Sequence, residues 1–439
     1  MDLEGYTKNL TRKRVNRKEI KEKVVERILE FKDLGREKAE ELAEAILNES
    51  KATLDIEDEF IGYEKSGVNM GEFGVGSRGM GDFYVHEKIS EVIGRTSAEI
   101  DSTFLDDSGA VREDGSYIVV SVDGMHSRLS DFPFLAGFHV TRATLRDIYV
   151  MGARPIALLS DIHLADDGDV TKIFDHIAGI SSVSDVMGVP LITGSTLRIG
   201  GDMVIGDRMT GCVGAVGIAK DLTARIDAEP GDVILMTEGA GGGTISTAAL
   251  YYDERDVVTE TLNVKFLKTC DALIESGMTR KIHAMTDITN GGIRGDANEI
   301  AKVAGVKLVF YEKKIRDLVN KKVFDMLERH KIDYLGVSLD SLLIICPEDA
   351  VSEVEKVLNG KIKIDEIGRV EGGEGSEIVI DGRMEEFVPR FRESPYTPVK
   401  KIVGEYSKNS DLMREKVRIA ADRAIKKKEK MIEILRSSL

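Results

Sequence analysis

The chain has 439 residues, 42% of them hydrophobic, which is enough to bury a large core and to divide into two or three domains. A net charge of -16 argues against a nucleic-acid or anionic-membrane binder, because counterion-release binding needs concentrated Lys and Arg, and points to small-molecule partners. No apolar run approaches the roughly 18 to 20 residues of a membrane span, and Met1-Asp2-Leu3-Glu4 lacks the basic-then-apolar pattern of a signal peptide, so a cytoplasmic protein is expected.

Residues 1–61 read as a helical extension. Val24, Ile28 and Leu29, then Ala39, Leu42, Ala43 and Ile46, recur at helical spacing with Gly35 between them as a C-cap, which predicts a helical hairpin over 18–50. The segment 62–94 opens with Gly67, Gly71, Gly74, Gly76, Gly79 and Gly81, poor material for helix or strand, and reads as a mobile loop before helical character resumes at 83. A first α/β unit, 95–220, is predicted from a strand at 117–122, a helix at 137–151, a strand at 157–162, a helix at 173–187, a short strand at 191–193 and a glycine-punctuated strand pair at 203–218. A second, 221–385, has a strand from Pro230 to Thr237, helices at 265–276 and 295–304, a strand and loop at 283–289 and a strand at 342–346. Its glycine cluster Gly239 to Gly243, opening a helix, reads either as a cradle of N–H groups for phosphate or as a plain tight turn. Residues 386–439 read as an extended, proline-bearing segment and a charged helix from 411 to 436, whose Lys426-Lys427-Lys428 is a solvated face. Cys212, Cys270 and Cys346, far apart and in apolar surroundings, read as buried thiols.

The chemistry concentrates in the first unit. Val119-Val120-Ser121-Val122 delivers Asp123 into Gly124, a way to hold a metal ion at a strand end while leaving room for phosphate oxygens. A carboxylate there is costly for packing alone. Asp106 and Asp107 lie just upstream, in what is also ordinary turn composition. Asp147 follows on a helix, where the default reading is a solvated face; yet Met151-Gly152-Ala153 one turn later lets another backbone come close. Three acidic points within about forty residues match what two Mg2+ ions bridging a triphosphate need. His86, His126 and His139 lack paired ligand spacing, and magnesium prefers oxygen; His139 is taken as structural.

The order of these motifs resembles the superfamily of aminoimidazole ribonucleotide (AIR) synthase, thiamine-monophosphate kinase, selenophosphate synthetase and the hydrogenase-maturation ATPase, the PurM-like proteins. Asp106 to Val111, Asp123-Gly124, Asp147 to Pro155, Gly194-Ser195-Thr196, Pro230-Gly231-Asp232, Ala284 to Gly292 and Ile367 to Val370 follow its pattern in sequence, over residues 95 to 385. The resemblance implies a two-domain α/β fold with an N-terminal ATP-binding domain that joins a second copy in a shared barrel, hence a homodimer, and a C-terminal α/β domain, here with helical extensions at both ends. It implies ATP and Mg2+ as cofactors, with phosphoryl transfer to a substrate oxygen. Asp106, Asp107, Asp123 and Asp147 would hold Mg2+. Gly74, Gly76, Gly79 and Gly81 would close over the nucleotide, with Asp107, Gly124, Gly194 and Thr196 also contacting it. Asp287 and Asn290 would face the acceptor; His126, in a stretch like the kinase members' G-V-H-F, and Arg198, like the arginine of their G-G-D-T-T-R, would meet substrate or phosphate.

Departures from the pattern narrow the function. Ser195 replaces the acidic residue that follows the glycine pair in the kinase and cyclo-ligase members, so Asp202 is a substitute to consider. No cysteine occupies 62–82, against the selenophosphate synthetases; Arg436-Ser437-Ser438-Leu439 lacks the terminal cysteine of the hydrogenase-maturation member; the cyclo-ligase's T-D-G-V-G-T-K is not reproduced after Asp123. The expected function is ATP-dependent activation of an oxygen on a small molecule, in the manner of AIR synthase. A small-molecule kinase and a nucleotide-binding regulator without turnover are the alternatives.

Overall fold

A computed structural model describes residues 1–289, 291–393, 395–404 and 409–438. The N-terminal extension is three helices, α1 (Leu3–Arg12), α2 (Arg17–Phe31) and α3 (Arg36–Ala52); the spacing had indicated only the last two. The Asp2 side chain caps α1 by accepting from the Gly5 N–H, and that of Asn16 caps α2 by accepting from Glu19 N–H at 2.9 Å. Leu3, Val24, Ile28, Ala43 and Ile46 share a core with Ile205 of the following unit, and Lys32 pairs with Asp166 and Asp167 there.

The glycine-rich segment is more ordered than its composition predicts: α4 (Met70–Phe73) is one helical turn, and α5 (Met80–Ile93) begins three residues earlier than expected. The reason is the C-terminal segment. Met80 N–H donates to Arg390 O at 2.8 Å and Gly81 N–H to Phe391 O at 3.1 Å. A Cβ on Gly79 would stand 2.5 Å from Arg390 O, and one on Gly81 would overlap Phe73 O. Buried Asp82 accepts from the N–H groups of Gly76 (2.9 Å) and Arg78 (2.7 Å), pinning the loop from within.

The first α/β unit comprises β1 (Gly109–Glu113), β2 (Ser116–Gly124), α6 (Pro133–Val150), β3 (Arg154–Leu164), α7 (Thr171–Met187), β4 (Leu191–Arg198) and β5 (Met209–Ala219), in a five-stranded sheet of order β1-β2-β5-β3-β4 with only β3 and β4 parallel. β1 was not anticipated, and the expected strand pair at 203–218 is the single strand β5 after a turn at Gly201–Met203. Alternation on β2 turns Val119 and Ser121 toward the helices and Val120 and Val122 outward. Proline at the first position of α6 fits a helix start, and Gly152, at φ +75°, makes the turn into β3 where a Cβ would press on Asp221 O at 2.8 Å.

The second unit comprises β6 (Val233–Thr237), α8 (Gly243–Tyr251), β7 (Ala284–Asp287), β8 (Lys307–Tyr311), β9 (Leu342–Cys346), β10 (Ile364–Glu371), β11 (Gly375–Ile380) and β12 (Arg383–Glu386), with helices including Lys265–Glu275 and Gly292–Ala304. The sheet order is β12-β11-β8-β10-β6-β9-β7. α6 lies between the units: Leu145, Ile148 and Tyr149 share one core with Val213 of the first sheet and with Phe266, Met285 and Leu342 of the second unit. That placement brings the ends of β2 and β7 to the same helix. Cys270 and Cys346 are buried and Cys212 half-buried, all as free thiols. Among the described residues no helix is long and apolar enough to cross a membrane. The terminal helix Ser410–Ser437 lies on α5, buries only Met413 and Ala421, and donates from Lys428 Nζ to Val92 O at 2.6 Å.

Candidate active site

A cavity of about 880 Å³ opens between the two units. Asp106 and Asp107 reach it from the turn before β1, Asp123 and Gly124 from the end of β2, and Asp147 from α6. Ser121 Oγ, on the same face of β2 as Asp123, donates to Asp147 Oδ2 at 2.7 Å. Asp287 ends β7 just behind this wall, fully buried, close enough to Asp147 to oppose its ionisation. The turn, the two strand ends and the helix thus gather five carboxylates from both units.

Four buried or half-buried arginines answer them. Arg225 Nη2 pairs with Asp107 Oδ1 at 2.6 Å, its Nη1 with Glu299 Oε2 at 2.8 Å, and its backbone N–H donates to Asp106 Oδ2 at 2.9 Å. Arg78 stands 3.1 Å from Glu299. Arg146 pairs with Asp287 (2.9 Å) and Asp340 (2.5 Å), and Arg142 with Asp340. The arginines do not neutralise the floor. Burial, reinforced by neighbouring Asp107, pushes Asp106 up to about 7, and burial raises Asp287 to about 7 despite Arg146. Burial lifts Asp123, and burial with the charges of Asp287, Asp123 and Asp107 lifts Asp147 well above the carboxylate range.

These carboxylates suit Mg2+. Both Asp287 oxygens are buried without a well-formed hydrogen bond, the Arg146 approach being close but poorly aligned, so the carboxylate keeps lone pairs that a second cation could take. Among the described residues no three acidic, His or Cys side chains converge as a closed metal site. Asp107 is held by Arg225 and by Thr286 Oγ1 (2.8 Å), Asp147 by Ser121 and Asp287 by Arg146. Magnesium is commonly bound by one or two carboxylates together with substrate phosphates and waters, so an open acidic wall fits it better than a cage.

The other sequence-derived residues divide. Gly76, Gly124 and His126 line the cavity; Gly74, Gly79 and Gly81 do not, the last two being packed against Arg390 and Phe391. Gly194, Thr196 and Arg198 lie on the exposed edge strand β4, away from the cavity. Arg198 pairs there with Asp166 (3.0 Å) and with Asp202, which accounts for both side chains without a ligand. Asn290 lies outside the described residues. His126 has both ring nitrogens engaged: Nε2 with Tyr396 OH at 2.7 Å and Nδ1 with Thr247 Oγ1 at 3.2 Å. Burial, with Lys400 and Arg128 nearby, lowers it to about 3, so the ring is neutral. Lys400 Nζ donates to Tyr396 OH at 2.9 Å and Thr247 Oγ1 to Gly243 O at 2.7 Å; with Tyr396 donating to Nε2, all four side chains donate in one direction.

Sequence reasoning missed the arginines, Glu299, Asp340, Tyr396 and Lys400. One signal was present: His139, Arg142 and Arg146 at helical spacing form a polar stripe on an otherwise apolar helix. Arg225 and the C-terminal pair carry no local signal, since tertiary packing alone brings them in.

Comparison with known proteins agrees with this architecture. The family model described as AIR synthase related protein, N-terminal domain, matches residues 105–219, and the corresponding C-terminal domain matches 229–381. An uncharacterized protein of Methanocaldococcus jannaschii is 56% identical over 449 residues, covering 99% of this chain and 98% of that protein. Thiamine-monophosphate kinase of Pyrococcus abyssi is 29% identical over 291 residues, 64% of this chain and 87% of the kinase. Among solved structures, a chain of the HypE-HypF complex superposes with a TM-score of 0.58 at 19% identity, over 70% of this chain and 99% of that one. AaThiL complexed with AMPPCP and TMP gives 0.55 at 18% identity, over 71% and 96%. At such identities the structures speak for the fold.

Proposed function

The chain belongs to the family of AIR synthase related proteins, and on that premise we propose that it binds ATP with Mg2+ in the cavity and phosphorylates an oxygen of a small molecule. The observation that carries the reading is the buried, under-neutralised carboxylate wall of Asp106, Asp107, Asp123, Asp147 and Asp287 beside a cavity of about 880 Å³. Asp106, Asp107, Asp123 and Asp147 are the residues that would hold the metal, with Asp287 behind them. When bound, Mg2+ neutralises phosphate oxygens and draws charge from the transferring group. The chain's own part is positioning: Arg225 and Arg146 fix the carboxylates between the two units, and Gly124 leaves room beside Asp123. His126, neutral and tethered at both nitrogens, holds Tyr396 and Thr247 in place rather than moving protons. The kinase relative supports a second reading in which the phosphorylated molecule is itself the product. Incubation with γ-labelled ATP across a metabolite panel separates them: label in orthophosphate with a new bond in the acceptor favours activation, label retained on the acceptor favours the kinase, and no transfer for any acceptor removes both.

A homodimer belongs to the same proposal. The face of the first sheet turned away from α6 and α7 exposes Val120, Val122, Ile156, Leu159 and Ile218, and β4 is exposed along nearly its whole length. An apolar sheet face of this kind beside an unpaired edge is a surface proteins cover. Ile218→Glu is expected to convert dimer to monomer in sedimentation; a wild-type monomer contradicts the proposal.

A further inference from the structure

Two cations at the cavity have no role in that reading. Each of Arg78, Arg142, Arg146 and Arg225 has a carboxylate partner, whereas Arg128 and Lys400 form no ion pair with any described carboxylate. Arg128 lies near enough to bias the titration of Lys400, Tyr396 and His126, and its Nε is buried without an acceptor. Lys400 Nζ spends one N–H on Tyr396 OH, which leaves two to give. Gly242, Gly243 and Thr244, at the start of the nine-residue α8, line the same cavity, and a Cβ on Gly243 would meet His126 and His139 at 3.5 Å, narrowing it. Tyr396 and Lys400 come from the segment beyond residue 381, where the family match ends.

We propose that the C-terminal segment completes the cavity by supplying Tyr396 and Lys400, and that Lys400 and Arg128, which line it together with the first turn of α8, recognise an oxyanion group, phosphate or carboxylate, carried by the acceptor. This rests on the phosphoryl-transfer reading for the word acceptor, but the anion site itself does not. Arg128 lies over the Tyr251 ring at 4.4 Å and Lys400 over the Tyr396 ring at 4.1 Å, but two partly buried cations without a carboxylate still favour an anion, and the N–H groups of a helix start favour the same ligand. Tyr396, held by His126, fixes the lysine stem so that its charge points at one place.

The test is calorimetric titration of inorganic phosphate, and separately of malonate, into protein saturated with Mg·AMPPCP so that nucleotide subsites are filled. The expected result is one anion per chain, weakened at least ~10-fold by Lys400→Met or Arg128→Met and retained in Lys400→Arg, with AMPPCP affinity unchanged. Which of the two anions binds tells a phosphate-bearing from a carboxylate-bearing acceptor. Uptake of neither, or undiminished uptake by Lys400→Met, overturns the proposal. Should AMPPCP fail to bind, the nucleotide reading falls, and the same titrations on free protein still decide the anion site. A readout on unmutated protein is acetylation of Lys400 by acetic anhydride, followed by mass spectrometry: slowing by the bound anion is expected, and an unchanged rate overturns the assignment.

Discussion

Arg225→Met tests the electrostatic frame of the site. Arg225 is 1% exposed and ties Asp107 of the first unit to Glu299 of the second, while donating to Thr286 Oγ1 at 2.6 Å and Leu105 O at 3.0 Å. Methionine keeps much of the side-chain volume but removes a cationic partner from three carboxylates, Asp107, Asp296 and Glu299, and a donor from a carbonyl. Breaking a buried pair by removing one partner costs about 3–5 kcal/mol. Arg78 remains 3.1 Å from Glu299, so the lower end, about 3 kcal/mol, is expected. Equilibrium urea unfolding followed by circular dichroism and tyrosine fluorescence, the chain having no tryptophan, measures it where the two probes coincide. Arg198→Met, at an exposed pair on β4, is the control and should stay within about 1 kcal/mol. Asp107→Asn added to Arg225→Met should recover part of the loss, because one stranded charge is gone. A loss for Arg225→Met no larger than that for Arg198→Met would mean that Arg225 does not hold the two units' carboxylates together.

Asp123→Asn removes one anionic oxygen from the wall and should weaken Mg-dependent AMPPCP binding ~10-fold or more with the unfolding midpoint preserved; equal affinity in the variant defeats the assignment. Gly81→Ala places a methyl group against Phe73 O and should destabilise by about 1–3 kcal/mol in urea without altering nucleotide affinity; a stability-neutral variant would mean that the turn Met70–Phe73 does not press on this glycine. The pH dependence has a defined sign at His126, which faces Tyr396, Thr247, Lys400 and Arg128. Its folded value, about 3, lies below the ordinary 6.5, so the unfolded chain takes up the proton first. Stability from the neutral ring is therefore full above pH 6.5 and lost as pH falls toward 3, by about 4–5 kcal/mol at most. His126→Gln should shift the acid-unfolding midpoint to lower pH, and an unmoved midpoint speaks against the buried neutral ring.

The parts of the fold that sequence reveals are those where one local rule governs. Val119-Val120-Ser121-Val122 is a β-branched run that ends in Asp123-Gly124, so the strand and its terminal carboxylate were readable together, whereas the outward turn of Val120 and Val122 was not. Asp147 was recoverable because Gly152, two residues beyond its helix, needs a close backbone approach. β12, Arg383–Glu386, carries no alternation because it is an exposed edge, and it went unread. Gly79 and Gly81 show the opposite failure: glycine reports that something comes close, not what, and here it is the backbone of residues 390–392 for Gly79 and Phe73 O for Gly81. Arg198 shared a motif position with the kinase members, but Asp166 and Asp202 engage it at the sheet edge. Tyr396 and Lys400 reach the cavity only through the path of the C-terminal segment, which no periodicity encodes.

If the carboxylate wall serves a magnesium-nucleotide complex, isothermal titration of the purified protein with AMPPCP, with and without Mg2+, will show binding at one site per chain that requires Mg2+. Absence of binding under both conditions, or binding of equal strength without the metal, would mean that the wall serves something else.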